Sequence, residues 1–118
     1  MDNNTEYRRA KRKRAQETID VVDTMTEQVV GRIGNISETG MMMLATIHLT
    51  DDALFQFRFT LPEHGSRGRS IEIGSHQLWS DAANVPGQYW AGFRFIDISP
   101  DDAALLRQWI EQPGGQYV

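Results

Sequence analysis

Through Leu54-Phe55-Gln56-Phe57-Arg58-Phe59-Thr60-Leu61, apolar and polar residues alternate at nearly every step. A period of two sends neighbouring side chains to opposite faces, so this stretch is a half-buried strand, and Pro62 is expected to stop it. Two earlier strands are predicted around Ile19, Val21 and Val22 and around Val29, Val30 and Ile33, joined by a hairpin through Thr24-Met25-Thr26-Glu27. Another runs from about Met41 to His48, after which Asp51-Asp52 marks a turn. Residues 63–69 are polar and Gly-rich and read as a loop, as do residues 81–87. Between them, residues 71–73 and 78–79 form a strand or bulged pair, bent at Gly74. A last long strand covers residues 89–98.

The period then changes. Ser99 can cap a helix, Pro100 suits its first position, and Asp101 and Asp102 face the positive end of the helix dipole. Leu105, Leu106, Trp109 and Ile110 recur at helical spacing, and Pro113-Gly114-Gly115 ends the run, giving an amphipathic helix over about residues 99–112. Roughly six short strands and one such helix predict a mainly β fold, an antiparallel barrel or curled sheet with the helix packed on it.

Composition adds bounds to this picture. A chain of 118 residues at 40% hydrophobic content fits one domain with a small core. It has no cysteine, which removes disulfides and thiolate metal sites, and no apolar run long enough to span a membrane. The N-terminus has no apolar segment of a secretory signal, so the expected location is the cytoplasm.

The net charge of -4 is unevenly spread. Residues 1–14 hold six cations against two acids, while the remainder holds six Arg against fourteen acids. Residues 1–16 carry no apolar periodicity and are expected to be a flexible basic arm, with residues 17–118 forming the barrel domain. An acidic body with a short basic arm argues against a general nucleic-acid binder, which carries a broad positive face, and suits a compact anion.

Enzyme signatures are missing from the sequence: it has no nucleophile elbow, phosphate-binding loop or dinucleotide fingerprint, and no local carboxylate pair. His48, His64 and His76 fall on different elements without ligand spacing, so neither a metal site nor a cofactor is expected. Met41, Met42 and Met43 read as strand residues filling a core, and Trp79, Trp90 and Trp109 as packing residues first and ligand platforms second. The remaining feature is Gly34-Asn35-Ile36-Ser37-Glu38-Thr39-Gly40, a tight polar turn in which flanking glycines are expected to allow a positive φ, with Arg8-Arg9-Ala10-Lys11-Arg12-Lys13-Arg14 upstream.

These two stretches together resemble the PilZ domain family, bacterial receptors for the second messenger cyclic di-GMP. That family is marked by Arg-x-x-x-Arg near the start and Asp/Asn-x-Ser-x-x-Gly some twenty-odd residues later. Residues 8–12 match the first motif and residues 35–40 the second. The likeness continues through Phe57-Arg58-Phe59-Thr60-Leu61-Pro62, Leu78-Trp79 and residues 92–100, so it covers most of residues 6–112. It implies a six-stranded antiparallel β-barrel with a C-terminal helix, no enzymatic activity, and cyclic di-GMP as the ligand.

By the same resemblance, Arg8 and Arg12 grip the ligand, since they satisfy the spacing where Arg9–Lys13 and Ala10–Arg14 do not. Arg9 helps, and Lys11, Lys13 and Arg14 add long-range attraction. An arginine fork can pair with guanine O6 and N7, stack on a purine, or clamp a phosphate. Asn35 and Ser37 are expected to hydrogen-bond guanine or phosphate from the barrel, and Gly40 to let the backbone come close. The implied mechanism is folding of the arm on the ligand, with the signal passed to a separate, unidentified protein. Such receptors are associated with motility, biofilm and surface polysaccharide, and virulence. Two alternatives remain: a PilZ-type interaction module that needs no ligand, as in pilus assembly, and a small nucleic-acid-binding barrel.

Overall fold

Each period-two run becomes a strand with its apolar side turned inward. The computed structural model describes residues 10–63 and 66–118. Its strands are β1 (Lys13–Arg14), β2 (Asp20–Asp23), β3 (Gln28–Ile36), β4 (Gly40–Ala45), β5 (Leu54–Glu63), β6 (Ser66–Ala82) and β7 (Tyr89–Ile98), and helix α1 is Pro100–Ile110. Six of them close an antiparallel barrel in the order β3-β2-β5-β6-β7-β4, with β4 returning to β3. The extra strand, β1, pairs with the end of β3 through Lys13–Ile36 and Arg14–Asn35.

The interior is built from alternate residues of these strands. Phe57 and Phe59 from β5, Ile71 and Ile73 from β6, and Met41 and Met43 from β4 are all buried. Phe57 meets Phe93 of β7 edge-on at a centroid distance of 5.1 Å, a favoured aromatic geometry. Leu106, Trp109 and Ile110 of α1 join the same core. Ser99 caps the helix as its sequence suggests, its Oγ accepting from Asp102 N at 3.1 Å. The Asp102 carboxylate in turn accepts from Glu72 N at 3.0 Å, fixing the helix start to β6.

Three local expectations need correction. Residues 63 and 66–69, expected in a loop, belong to β5 and β6, with Leu61 opposite Arg69 and Glu63 opposite Ser66. Arg67 and Arg69 are exposed, so the polarity is that of strand residues facing water. Pro62 sits at the register shift between Leu61 and Glu63, where a missing N–H disturbs the ladder least. The strand expected to reach His48 stops at Ala45, which is opposite Tyr89, the first residue of its partner β7. Residues 13 and 14, assigned from sequence to the flexible arm, form β1, and Ala15 N donates to Gly34 O at 3.0 Å. Their partners lie more than twenty residues away, and a charged run carries no local sign of such pairing.

Candidate functional site

The turn after β3 owes its shape to Ser37. This side chain is completely buried, and its Oγ accepts from the backbone amides of Thr39 and Gly40, each at 3.2 Å. Ser37 N donates to Gly40 O at 2.8 Å, which closes the hairpin. A side-chain oxygen that satisfies amides two and three residues ahead is how serine builds a tight turn. The expected positive φ is not found at either flanking glycine, since the positive-φ glycines are Gly68, Gly87 and Gly114. Gly40 serves a different need: a Cβ there would stand 2.3 Å from the Phe93 carbonyl oxygen across the sheet. Outside the turn, Glu38 pairs with Arg107 of α1 at 2.9 Å.

Just before the turn, at the end of β3, Asn35 is 7% exposed. Its Oδ1 accepts from Arg12 Nε at 2.8 Å, while Arg12 Nη1 stands 3.4 Å from Ser37 Oγ. The two sequence motifs therefore meet in space: the last arginine of the first is docked on the asparagine and serine of the second. Arg8 and Arg9 lie outside the described residues, as does His64. Arg12, Asn35 and Gly40 come together with the turn, while Ser37 faces its own backbone and Arg12.

Beside this junction opens a cavity of about 470 Å³. It is lined by Arg12, Asn35 and Thr39 around the motif junction and by Met42, Leu78, Trp79 and Phe93 of the neighbouring strands. Trp79, read from sequence as a packing residue first and a ligand platform second, lines this cavity. It is 42% exposed, and a Cβ on Gly92 would fall 2.1 Å from its Nε1, so the indole rests directly on glycine backbone. A register shift between Gln77 and Trp79 turns Leu78 and Trp79 toward the cavity mouth. The available signal was Gly92 in a strand-forming run, since an interior strand glycine often marks close approach of another group.

A guanidinium and a part-exposed indole lining one cavity suit a planar, anionic ligand: the guanidinium can pair with or stack on it, and the indole can stack. Elsewhere, the two described histidines make other contacts. His48 meets Tyr89 edge-on at 5.0 Å, and His76 Nε2 stands 2.5 Å from Asp52 Oδ1. Among the described residues no group of three His, Cys, Asp or Glu could hold a metal ion. No described helix is long and apolar enough to cross a membrane.

Lys13, expected among the long-range cations, has a structural position instead. It is 5% exposed, its Nζ donates to Trp109 O at 2.6 Å, and the same atom lies 4.1 Å from the Trp109 ring centroid. Burial pushes its ammonium below the ordinary lysine range.

A model of the PilZ domain matches residues 6–112. Among solved structures, the Bacillus subtilis inhibitor of motility, MotI/DgrA, superposes with a TM-score of 0.71 at 19% identity, covering 87% of this chain and 49% of that one. The PilZ domain of Escherichia coli YcgR with c-di-GMP gives 0.65 at 20% identity, covering 87% and 88%. Escherichia coli YcgR in complex with c-di-GMP gives 0.64 at 19% identity, covering 87% and 44%. The chain thus spans about half the length of MotI and of the longer YcgR structure. A search of curated proteins finds no match. At these identities the structural likeness is one of fold.

Proposed function

This chain belongs to the PilZ domain family, and from that membership we propose that it is a receptor for cyclic di-GMP, held in the cavity between Arg12, Asn35 and Trp79. The observation that carries the proposal is the meeting of Arg12 from the first motif with Asn35 from the second at one cavity, which Trp79, resting on Gly92, also lines. Its volume of about 470 Å³ falls in the range of about 300–1,000 Å³ common for small-molecule sites.

In this reading Arg12 leaves or shares its bond to Asn35 in order to stack on a guanine or clamp a phosphate, and Trp79 supplies a second stacking face. Arg8 and Arg9 add cations from the arm. Asn35 sets the angle from which Arg12 approaches. Ser37 and Gly40 act one step back, by fixing the turn that carries Asn35 and Thr39. The protein works as a binding module: closure on the ligand of the part of the arm that precedes Arg12 changes a surface that a separate protein reads, and part of the contact energy offsets the cost of ordering that part. PilZ structures of this fold include the inhibitor of motility from Bacillus subtilis, and control of motility is the output we favour.

Calorimetric titration of the protein with cyclic di-GMP, run beside GTP and a single-stranded oligonucleotide, tests the proposal. Saturable binding of the cyclic dinucleotide alone is expected. Absence of heat at tens of micromolar, on the order of a −6 kcal/mol interaction, would refute it.

A further inference from the structure

The backbone that carries Arg12 is paired on both sides. On one side β1 joins β3. On the other, Val118 N donates to Arg12 O at 2.9 Å and Arg14 N donates to Gln116 O at 2.8 Å, with Lys13 opposite Tyr117 in an antiparallel bridge. Residues 116–118 therefore lie along the arm as a short outer strand.

That strand is anchored in turn to the end of α1. Tyr117 donates its hydroxyl hydrogen to Ile110 O at 2.5 Å, and Lys13 Nζ donates to Trp109 O at 2.6 Å. Both acceptors belong to the last turn of the helix, whose carbonyls have no partner within the helix itself. Lys11 Nζ lies 4.8 Å from the Tyr117 ring centroid, a cation–π contact from the arm to the same residue. Tyr117 thus touches the arm with its ring and the helix with its hydroxyl.

We propose that residues 116–118 form a latch, with Tyr117 as its anchor, that holds the Arg12 backbone in the geometry the ligand requires and couples the cavity to the end of α1. The proposal rests on the reading of that cavity as the ligand site. Tyr117 and Val118 are positioning residues: they act through Arg12 and line no part of the cavity. When the latch is closed, residues 12–14 are already ordered, so the ligand does not bear the cost of ordering them. When it is open, only part of the population is competent, and the apparent affinity falls by that fraction. Coupling is reciprocal, so the ligand must also tighten the latch.

The test combines Val118→Pro, which removes the N–H that bonds Arg12 O, with Tyr117→Ala, which removes the anchor. Hydrogen exchange is followed at Arg14 N, a latch amide, and at Ile73 N in the barrel, and the dissociation constant for cyclic di-GMP is measured in the same samples. The double variant is expected to exchange faster at Arg14, to keep the wild-type rate at Ile73, and to bind about three- to tenfold more weakly, as loss of about one net hydrogen bond from the competent state would give. Ligand added to the wild type is expected to slow exchange at Arg14 and Val118. Unchanged exchange at Arg14 in the double variant overturns the latch, and so does faster exchange with unchanged affinity. Tyr117→Phe, which keeps the ring over Lys11, is expected to fall between wild type and the double variant; wild-type affinity and exchange in both would overturn the anchor. If the wild type binds no cyclic di-GMP, the function proposed above fails, while the exchange data still report whether the latch holds the arm.

Discussion

Replacing Gly40 by Ala separates two reasons for a glycine in a turn. A Cβ at this position would sit 2.3 Å from the Phe93 carbonyl oxygen, which is backbone and has no rotamer to yield. To restore ordinary contact, β4 and β7 must separate by roughly 1 Å, since carbon and oxygen pack at about 3.3 Å. That movement strains the Gly40–Arg94 and Met41–Phe93 pairs and the bond from Phe95 N to Thr39 O. Overpacking of this kind costs about 1–3 kcal/mol, and a weakened ladder bond adds about 1 kcal/mol. A loss of about 2–4 kcal/mol at an unfolding entropy of about 2.1 cal/mol/K per residue lowers Tm by about 8–16 °C for a chain this size. Thermal melts followed by circular dichroism measure it. Gly87→Ala is the control: its φ is +82° with open space around it, so the conformational penalty of about 1–2 kcal/mol is expected alone. If Gly40→Ala melts within 2 °C of wild type, or no lower than Gly87→Ala, close approach is not what position 40 requires.

Other perturbations have equally definite outcomes. Trp79→Ala should leave the melt within a few degrees, because the indole is 42% exposed, yet weaken cyclic di-GMP binding by about 1–3 kcal/mol, the worth of a stacked base; calorimetry distinguishes the two effects. Ser99→Ala removes the cap on α1 and should destabilise the fold by about 1 kcal/mol in a denaturant titration. The Arg58 hydrogen bond, at 2.7 Å, holds the Glu27 carboxyl below its ordinary value of 4.5. Because the folded value is the depressed one, the pair favours folding above pH 4.5 and that contribution fades as pH falls through the folded value. NMR titration of the Glu27 carboxyl should place it below 4.5, and Arg58→Ala should return it upward.

The parts of this fold that are legible in the sequence are the ones written locally. Alternation over residues 54–61, the Ser99-Pro100 start of α1 and the hairpin at residues 24–27 each depend on neighbours a few positions apart. Glu27 indeed turns with φ of 57°. The motif pair at Arg12 and Asn35 was visible through its resemblance to a family, and its physical content, a 2.8 Å bond over 23 positions, needed the fold. Long-range features carried no local mark. Lys13 looked like one more cation in a basic run, and it is buried because Trp109, 96 positions on, offers it a carbonyl and a ring. Trp79 looked like core because aromatic residues in strands usually are; the bulge after Gln77 and the bare backbone of Gly92 put it at the cavity instead. For Gly40 the sequence suggests torsional freedom and a close approach to a ligand; its φ is ordinary, and the close approach it makes is to the Phe93 carbonyl across the sheet.

In the proposed complex one ligand touches Arg12, Asn35 and Trp79 together. This arrangement is tested most directly by titrating isotope-labelled protein with cyclic di-GMP while following the Arg12 Nε–H, Asn35 side-chain amide and Trp79 indole N–H resonances. All three are expected to shift along one saturable curve, and Arg12→Ala to abolish or strongly weaken the curve at Trp79 while the barrel amides keep their positions. Saturable binding that leaves these three resonances unmoved would place the ligand elsewhere and contradict that arrangement.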